Sequence, residues 1–442
     1  MRLKKNISGR KNEQGIIITL VAVFMLFVVG AMAALSIDVV TLYTARSEAQ
    51  LAADAAALAG ARVLANSGMT SDTSGGLTPG AETLASTVAL QVGQQNQVGG
   101  RYLIAANGEV VVVGFSGTAT NPCTAPTNPC ITVQVQRTDL PTFFARIWGS
   151  KQVTVGASAT AEAYNPSGAS AMGVATTPVA PTCVKPWLLP NMDPSVAGNP
   201  AIFDAATGAI SAGSKLLGWS SLTTGVRMRE RCPGGDCTGV PGPPDFWRYY
   251  PGDDATTFPH PTSSLPTCSL IPTLTNYQLS IAGCIQTPIS CNSPANIDVS
   301  KYPTRNTETA EAVNCLTHAT TGNGDTVTSN DPPTAPFEFV AGSANPIPGA
   351  SGNDVMVSDS LVTVPVFDTG SFVAGNQAVT IVGFVQLFLN PDGFATPIPP
   401  AFNGGRVNTT VINVVGCGTG ATGQPILGNG ASAVAVRLIS PP

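Results

Sequence analysis

The hydrophobic pattern of the chain changes character three times. Residues 16–37 (IIITLVAVFMLFVVGAMAALSI) are an apolar run of 22 residues without a charge. As a helix, that run covers about 33 Å, enough to cross a bilayer core. From residue 38 the chain turns to small apolar and polar residues (DVVTLYTARSEAQLAADAAALAGARVL), with no proline and no glycine before Gly60. Ala, Leu, Gln and Glu are good helix formers, so a single helix is expected from about residue 16 to residue 64. Leu35, Val39, Leu42, Ala49, Ala52, Ala53, Ala56 and Ala57 recur at three- and four-residue spacing. Such a small-residue stripe lets another helix backbone approach closely. Gly30 and Ala34 offer a similar surface inside the apolar run, and Asp54 and Gly60 belong to the same packing segment.

Beyond residue 66 the helical pattern breaks. Residues 66–80 (NSGMTSDTSGGLTPG) are polar and turn-rich, and residues 81–98 predict a second helix through Leu84, Val88 and Val92. Residues 109–116 and 131–136 predict two strands. The second alternates Val133 and Val135 on one face with Gln134 and Gln136 on the other. Residues 142–148 (TFFARIW) predict a helical turn and residues 153–164 a further strand. Residues 165–182 read as a Pro, Gly, Ser and Ala-rich linker. Residues 191–350 read as loop-dominated. Strand patterns return at 354–367, 377–389, 406–415 and 433–439, expected to form one antiparallel sheet with partners near Trp187 and at 337–340.

The expected fold is therefore membrane-anchored α+β. A long N-terminal transmembrane, pilin-like helix leads into a small antiparallel sheet module and then a loop-rich, disulfide-containing β domain. The expected boundaries are a cytoplasmic basic segment at 1–15, a transmembrane helix at 16–37, a periplasmic helix extension and pilin-like module at 38–164, a linker at 165–182 and a β-rich periplasmic domain at 183–442.

Composition sharpens this picture. Of 442 residues only 11% are charged, far below a cytosolic average, while 46 Gly and 37 Pro favour turns and loops over helical bundles. The net charge of −5 argues against nucleic-acid binding. Arg2, Lys4, Lys5, Arg10 and Lys11 precede the apolar run, against the one acid Glu13. Subtracting these from 21 basic and 26 acidic residues leaves 16 − 25 = −9 after the run. The positive-inside rule then puts the N-terminus in the cytoplasm and residues 38–442 outside. The Ala31-Met32-Ala33 stretch resembles a signal-peptidase site, but the apolar pattern continues past it, so an uncleaved anchor is expected.

All ten cysteines lie beyond the run, and an even count outside the cytoplasm predicts disulfides. Three pairs, Cys123–Cys130, Cys232–Cys237 and Cys284–Cys291, are close in sequence, and local closure is one reading of them. That leaves Cys183, Cys268, Cys315 and Cys417 with three possible pairings. The Cys232/Cys237 spacing also occurs in zinc sites, but no second clustered pair accompanies it, and no metal is expected.

The basic segment, Gln14-Gly15, the apolar run, Asp38-Val39, Leu42-Tyr43, Arg46 and AQLAADAAALAGAR resemble the N-terminal region of TadG-like proteins of the tight-adherence (Flp) pilus assembly machinery. The resemblance covers residues 10–65, with AADAAALAGA its most specific part. It implies an inner-membrane component with its bulk in the periplasm, partnered by other pilus assembly proteins and the lipid bilayer. Type IV prepilins share a basic leader, a glycine (here Gly15) before the apolar run, and a glutamate five residues later. Leu20 stands at that fifth position, so no processing by a prepilin peptidase is expected.

Candidate chemistry is sparse. Val366-Phe367-Asp368-Thr369-Gly370-Ser371 resembles an aspartic-peptidase motif, but that chemistry needs two carboxylates sharing a proton, and no second copy occurs. A strand end followed by an Asp-Gly turn accounts for the same residues. The metal triplet Asp-x-Ser-x-Ser, which some TadG-like proteins carry in a von Willebrand A domain, is absent, as are a nucleophile elbow, a P-loop and a His-Glu-x-x-His motif. His260 and His318 lie in polar stretches. The expected function is that of a non-enzymatic, inner-membrane-anchored component of Flp pilus assembly, an anchor or pilin-like scaffold with no cofactor and no small-molecule substrate. A surface adhesin or minor pilus subunit is the alternative, and an envelope aspartic peptidase using Asp368 a more remote one.

Overall fold

The computed structural model describes residues 10–72, 78–115, 128–149, 152–167, 178–193, 198–211, 216, 227–230, 246–259, 261, 272–298, 305–319, 322–327, 336–371, 378–393, 407–418, 426–427 and 432–439. They divide into two compact units. The first comprises Met1–Ala56, Leu90–Val112 and Val133–Ala159, and the second Ala57–Ala89, Val113–Thr132 and Thr160–Pro442.

Helix α1 (Arg10–Asn66) runs unbroken for 57 residues, as the absence of proline predicts. Residues 16–37 are mostly exposed and none of them is buried, and the helix is long and apolar enough to cross a membrane. Burial begins at Asp38 and recurs at Ala45, Ala49, Ala52, Ala53 and Ala56. Helix α2 (Thr78–Gln94) follows, then a hairpin of β1 (Gln97–Val98) and β2 (Arg101–Tyr102). Strands β3 (Val110–Phe115), β4 (Cys130–Pro141) and β5 (Gln152–Tyr164) come next. In β4 the expected alternation holds: Ile131, Val133 and Val135 are buried, and Gln134 is exposed. A 3-10 turn at Ala145–Trp148 stands where the helical turn was expected.

Strands β6 (Val179–Ala180), β7 (Trp187–Pro190), β8 (Arg227–Glu230) and β9 (Phe246–Pro251) precede helix α3 (Asn276–Ala282). Strand β10 (Pro294–Asn296) and helix α4 (Arg305–Leu316) follow, then the short strands β11 (Thr326–Val327), β12 (Phe339–Val340) and β13 (Asp354–Val355). The long strands β14 (Leu361–Phe367), β15 (Ala378–Leu389) and β16 (Val407–Gly416) lead to β17 (Ile426–Leu427) and β18 (Ala435–Ile439).

The second unit is built on a ring of six strands. Strand β15 pairs antiparallel with β14 on one edge and with β16 on the other. The ring continues from β14 to β7 in parallel, from β7 to β9 antiparallel, from β9 to β8 in parallel and from β8 back to β16 antiparallel. Closure removes the free edges that an open sheet would present. Strand β10 adds to the start of β15 through Pro294↔Thr380. Nearly every residue of β14, β15 and β16 is buried, which explains their near-continuous apolar sequences. The core gathers Trp187, Trp247, Tyr249, Tyr277, Phe203 and Phe388. Gly383 and Gly416 have no room for a side chain: a Cβ on Gly383 would lie 2.5 Å from the Phe203 ring, and one on Gly416 2.0 Å from the Gly208 oxygen.

Several expectations are corrected here. The four strand runs do not form one antiparallel sheet: only 361–367, 378–389 and 407–416 enter the ring, which holds two parallel pairs. The run near 433–439 becomes β18 and pairs antiparallel with β5 from Ala435↔Tyr164 to Ile439↔Thr160, giving the order β18-β5-β4-β3. Phe339–Val340 joins β11 and β13 in a separate three-stranded sheet. The stretch 191–350 supplies two ring strands and two helices, and α3 opens with a capping box between Thr275 and Gln278. Within 165–182, Asn165, Ser167, Val179 and Ala180 are buried, and 168–177 lie outside the described residues.

Cys284 and Cys291 do not pair with each other. Cys284 bonds to Cys183 and Cys291 to Cys417, with sequence separations of 101 and 126. The first bond sits beside a backbone contact, the Cys183 amide donating to the Ile285 oxygen, and the second joins the segments next to β10 and β16, both of which pair with β15. Cys130 and Cys315 are also disulfide-bonded, while Cys123, Cys232, Cys237 and Cys268 lie outside the described residues.

Candidate functional site

Two constellations hold α1, one in each unit. In the first unit, Asp38 is the first residue after the apolar run. Its Oδ1 accepts from the Phe143 amide at 2.9 Å, and its Oδ2 from the amides of Phe144 (3.0 Å) and Ala145 (2.6 Å). Three backbone donors replace the water that a carboxylate otherwise needs, which is why Asp38 can be only 3% exposed. Ten residues further along α1, Glu48 accepts from the Gly99 amide at 2.6 Å and so holds the β1–β2 hairpin. A cluster of charges backs that hairpin. Arg101 pairs with Glu109 and with Asp139 (3.0 Å), and Arg137 pairs with Asp139 (2.9 Å). The two guanidiniums hold the Asp139 carboxyl below the usual carboxylate range.

The small-residue stripe divides. Gly30 is exposed and Ala34 half-buried, whereas Ala49, Ala53, Ala56 and Ala57 are wholly buried by the chain itself. Asp54 is half-buried and accepts from Gln50 at 2.8 Å. In the second unit a Cβ on Gly60 would lie 2.7 Å from Ile131 Cδ1 and 3.3 Å from the Ala85 oxygen. A glycine there lets α1 approach both α2 and β4.

The second constellation lies where α1 ends. Gln386 and Asn413 face each other across β15 and β16. The Asn413 amide donates to Gln386 Oε1 at 2.7 Å and to the main-chain oxygen of Ala65. Its Oδ1 accepts from Thr70 (3.1 Å) and Ser71 (3.2 Å), while Gln386 donates to Asn66 Oδ1 at 3.3 Å. Asn165 donates to the oxygens of Thr70 and Val414, both at 3.1 Å. Gln386, Asn413 and Asn165 are fully buried, yet each has partners. This network ties the last turn of α1 to two strands of the ring.

Residues 17–63 match the Tad family model, described as "Putative Flp pilus-assembly TadE/G-like". Helix α1 carries a TadE/G-like segment. No curated protein and no solved structure matches the chain. The TadE/G-like segment takes in the apolar run, Asp38 and the buried alanines, and stops just short of Ala65 and Asn66. The resemblance read from AADAAALAGA therefore falls on the face that α1 buries against its own chain.

The remaining sequence candidates lie elsewhere. Asp368 follows β14, where its Oδ1 accepts from the Gly370 amide at 3.0 Å, an Asx turn. His318 pairs with Asp359 at 2.8 Å. Among the described residues no three His, Cys, Asp or Glu cluster as a metal site would require. Two sites were not anticipated from sequence. Gln386 and Asn413 each interrupt an apolar strand (GFVQLFL, VINVVG), and that interruption is the signal that marks them. Asp38 and its three amide donors are more than a hundred residues apart, and no local pattern links them.

Proposed function

We propose that the protein is a non-enzymatic component of Tad/Flp pilus assembly, held in the inner membrane by residues 16–37 with its bulk in the periplasm, and acting as an anchor or pilin-like scaffold. One observation carries the reading: a single unbroken helix holds the TadE/G-like match, exposes an apolar span of membrane length and buries its other half in the fold. The basic residues before the span support a cytoplasmic N-terminus. The two long-range disulfides fit an oxidising compartment. The partners on this reading are other assembly proteins and the lipid bilayer.

The test is deletion of the gene in its host, with surface pili counted by electron microscopy. Complementation uses the intact chain and, separately, residues 38–442 behind a cleavable signal. Loss of pili rescued only by the intact chain is expected. Rescue by the released form overturns the anchor role, and normal pili with lost attachment shifts the reading to an adhesin. Pili and attachment that both survive deletion overturn the assembly reading altogether.

A further inference from the structure

The span of 22 apolar residues ends at Ile37, so on the reading above Asp38 marks the edge of the hydrocarbon. Asp38 does not merely follow the span; it grips the backbone of residues 143–145 and brings that loop to the same level. On the loop, the Phe143 side chain is 63% exposed although it is large and apolar. On the turn of α1 just past Asp38, Val39, Val40 and Tyr43 are exposed as well, Tyr43 at 78%. Arg146 is exposed three residues along the loop.

We infer that residues 142–146 form a second membrane contact, with Phe143 seated in the headgroup–acyl boundary of the bilayer that α1 crosses and Arg146 reaching the lipid phosphates. The inference rests on the anchor reading, but different observations carry it. Aromatic rings favour this boundary, and a long cationic side chain beside them can extend its charge to the headgroups. The main obstacle to placing a loop there is its backbone, because an unpaired N–H in a low-water layer is costly. Asp38 removes that obstacle, since the amides of Phe143, Phe144 and Ala145 all donate to its carboxylate. The carboxylate in turn gains the donors that let a charge sit at the hydrocarbon edge. The continuity of this patch with the span, joined through one side chain, argues for lipid as its occupant.

The test places a photoreactive benzoylphenylalanine in the full chain, reconstituted in phosphatidylethanolamine–phosphatidylglycerol vesicles, at one of three positions: 26, 102 or 143. Leu26 lies inside the span. Tyr102 is 58% exposed on the hairpin that Glu48 holds, about 15 Å further along α1 by helical rise. Phospholipid adducts at 26 and 143 and none at 102 are expected. Adducts at 26 but not at 143, or capture at 143 of a second protein chain in place of lipid, overturn the inference and leave the anchor standing. Absence of lipid at 26 overturns the anchor reading and the inference with it.

Discussion

Asn413 donates its side-chain amide to the carbonyl oxygen of Ala65, joining the last turn of α1 to the β-strand that closes the ring. All four hydrogen-bonding positions of Asn413 are used, two as donor and two as acceptor. Leucine is similar in size but takes these partners from Ala65, Gln386 and Thr70, while Ser71 keeps its bonds to the Val414 backbone. Asn413→Leu is expected to destabilise the protein by about 3 kcal/mol, read as a fall in the unfolding midpoint of the detergent-solubilised chain. Removing both cross-strand partners, in Asn413→Leu with Gln386→Leu, is expected to cost less than the sum of the single changes.

Peptide mapping without reduction is expected to recover Cys183 linked to Cys284 and Cys291 linked to Cys417. Recovery of Cys284 linked to Cys291 would contradict the fold. Replacing either pair by serine releases a loop of more than a hundred residues and is expected to cost about 2–5 kcal/mol.

Lys185 is fully buried, and its Nζ donates to the oxygens of Ile281 (2.7 Å) and Gly283 (2.6 Å) at the end of α3. Burial pulls its pKa down to about 7, opposed by the charge of Asp359. The unfolded chain keeps this lysine protonated to about pH 10.5, so between about pH 7 and 10.5 the unfolded state binds more protons. The contribution of this lysine to stability therefore rises with pH across that window. From pH 7 to pH 9 the gain is about 2 kcal/mol by linkage. The Lys185→Met variant is expected to lack that rise, which unfolding midpoints at the two pH values would read.

Asp38→Ala removes the carboxylate that accepts from three consecutive amides. Hydrogen exchange at residues 143–145 is expected to accelerate strongly, with a loss of about 2–3 kcal/mol. Unchanged protection at those amides would mean that the carboxylate does not hold the loop.

Gly60→Leu places a branched side chain where a Cβ alone lies 2.7 Å from Ile131. The Ala85 backbone oxygen is 3.3 Å from the same Cβ and the flanking Ala57 and Leu64 are wholly buried, so a loss of at least about 2 kcal/mol is expected. It would appear as a lower midpoint with the helical signal of the native state retained.

Much of the local structure was legible. A helix over about 16–64 follows from residue propensity and the absence of proline, and a strand over 131–136 from the alternation of Val133 and Val135 with Gln134; the elements themselves run further, over 10–66 and 130–141. What escaped was long-range. β8 (RMRE) and β9 (FWRYYP) carry no clean alternation, yet they complete the ring by pairing with each other in parallel. Cys284 and Cys291 are close in sequence, but the segment between them does not bring them together, and each finds a partner over a hundred residues away. The alanine stripe was visible as a packing surface, while its occupant, the rest of the same chain, was not.

The pairing of β18 with β5 sets an order of events during synthesis. Glu162 meets Arg437 across that ladder, 275 residues later in the chain. At elongation speeds of about 5–20 residues per second, the gap lasts roughly 14–55 s. Throughout that interval β5 has an unfilled edge, open to any other extended segment. The four-stranded sheet is thus completed only once residues 435–439 have been made, and until then β5 keeps the sticky edge of an unfinished ladder.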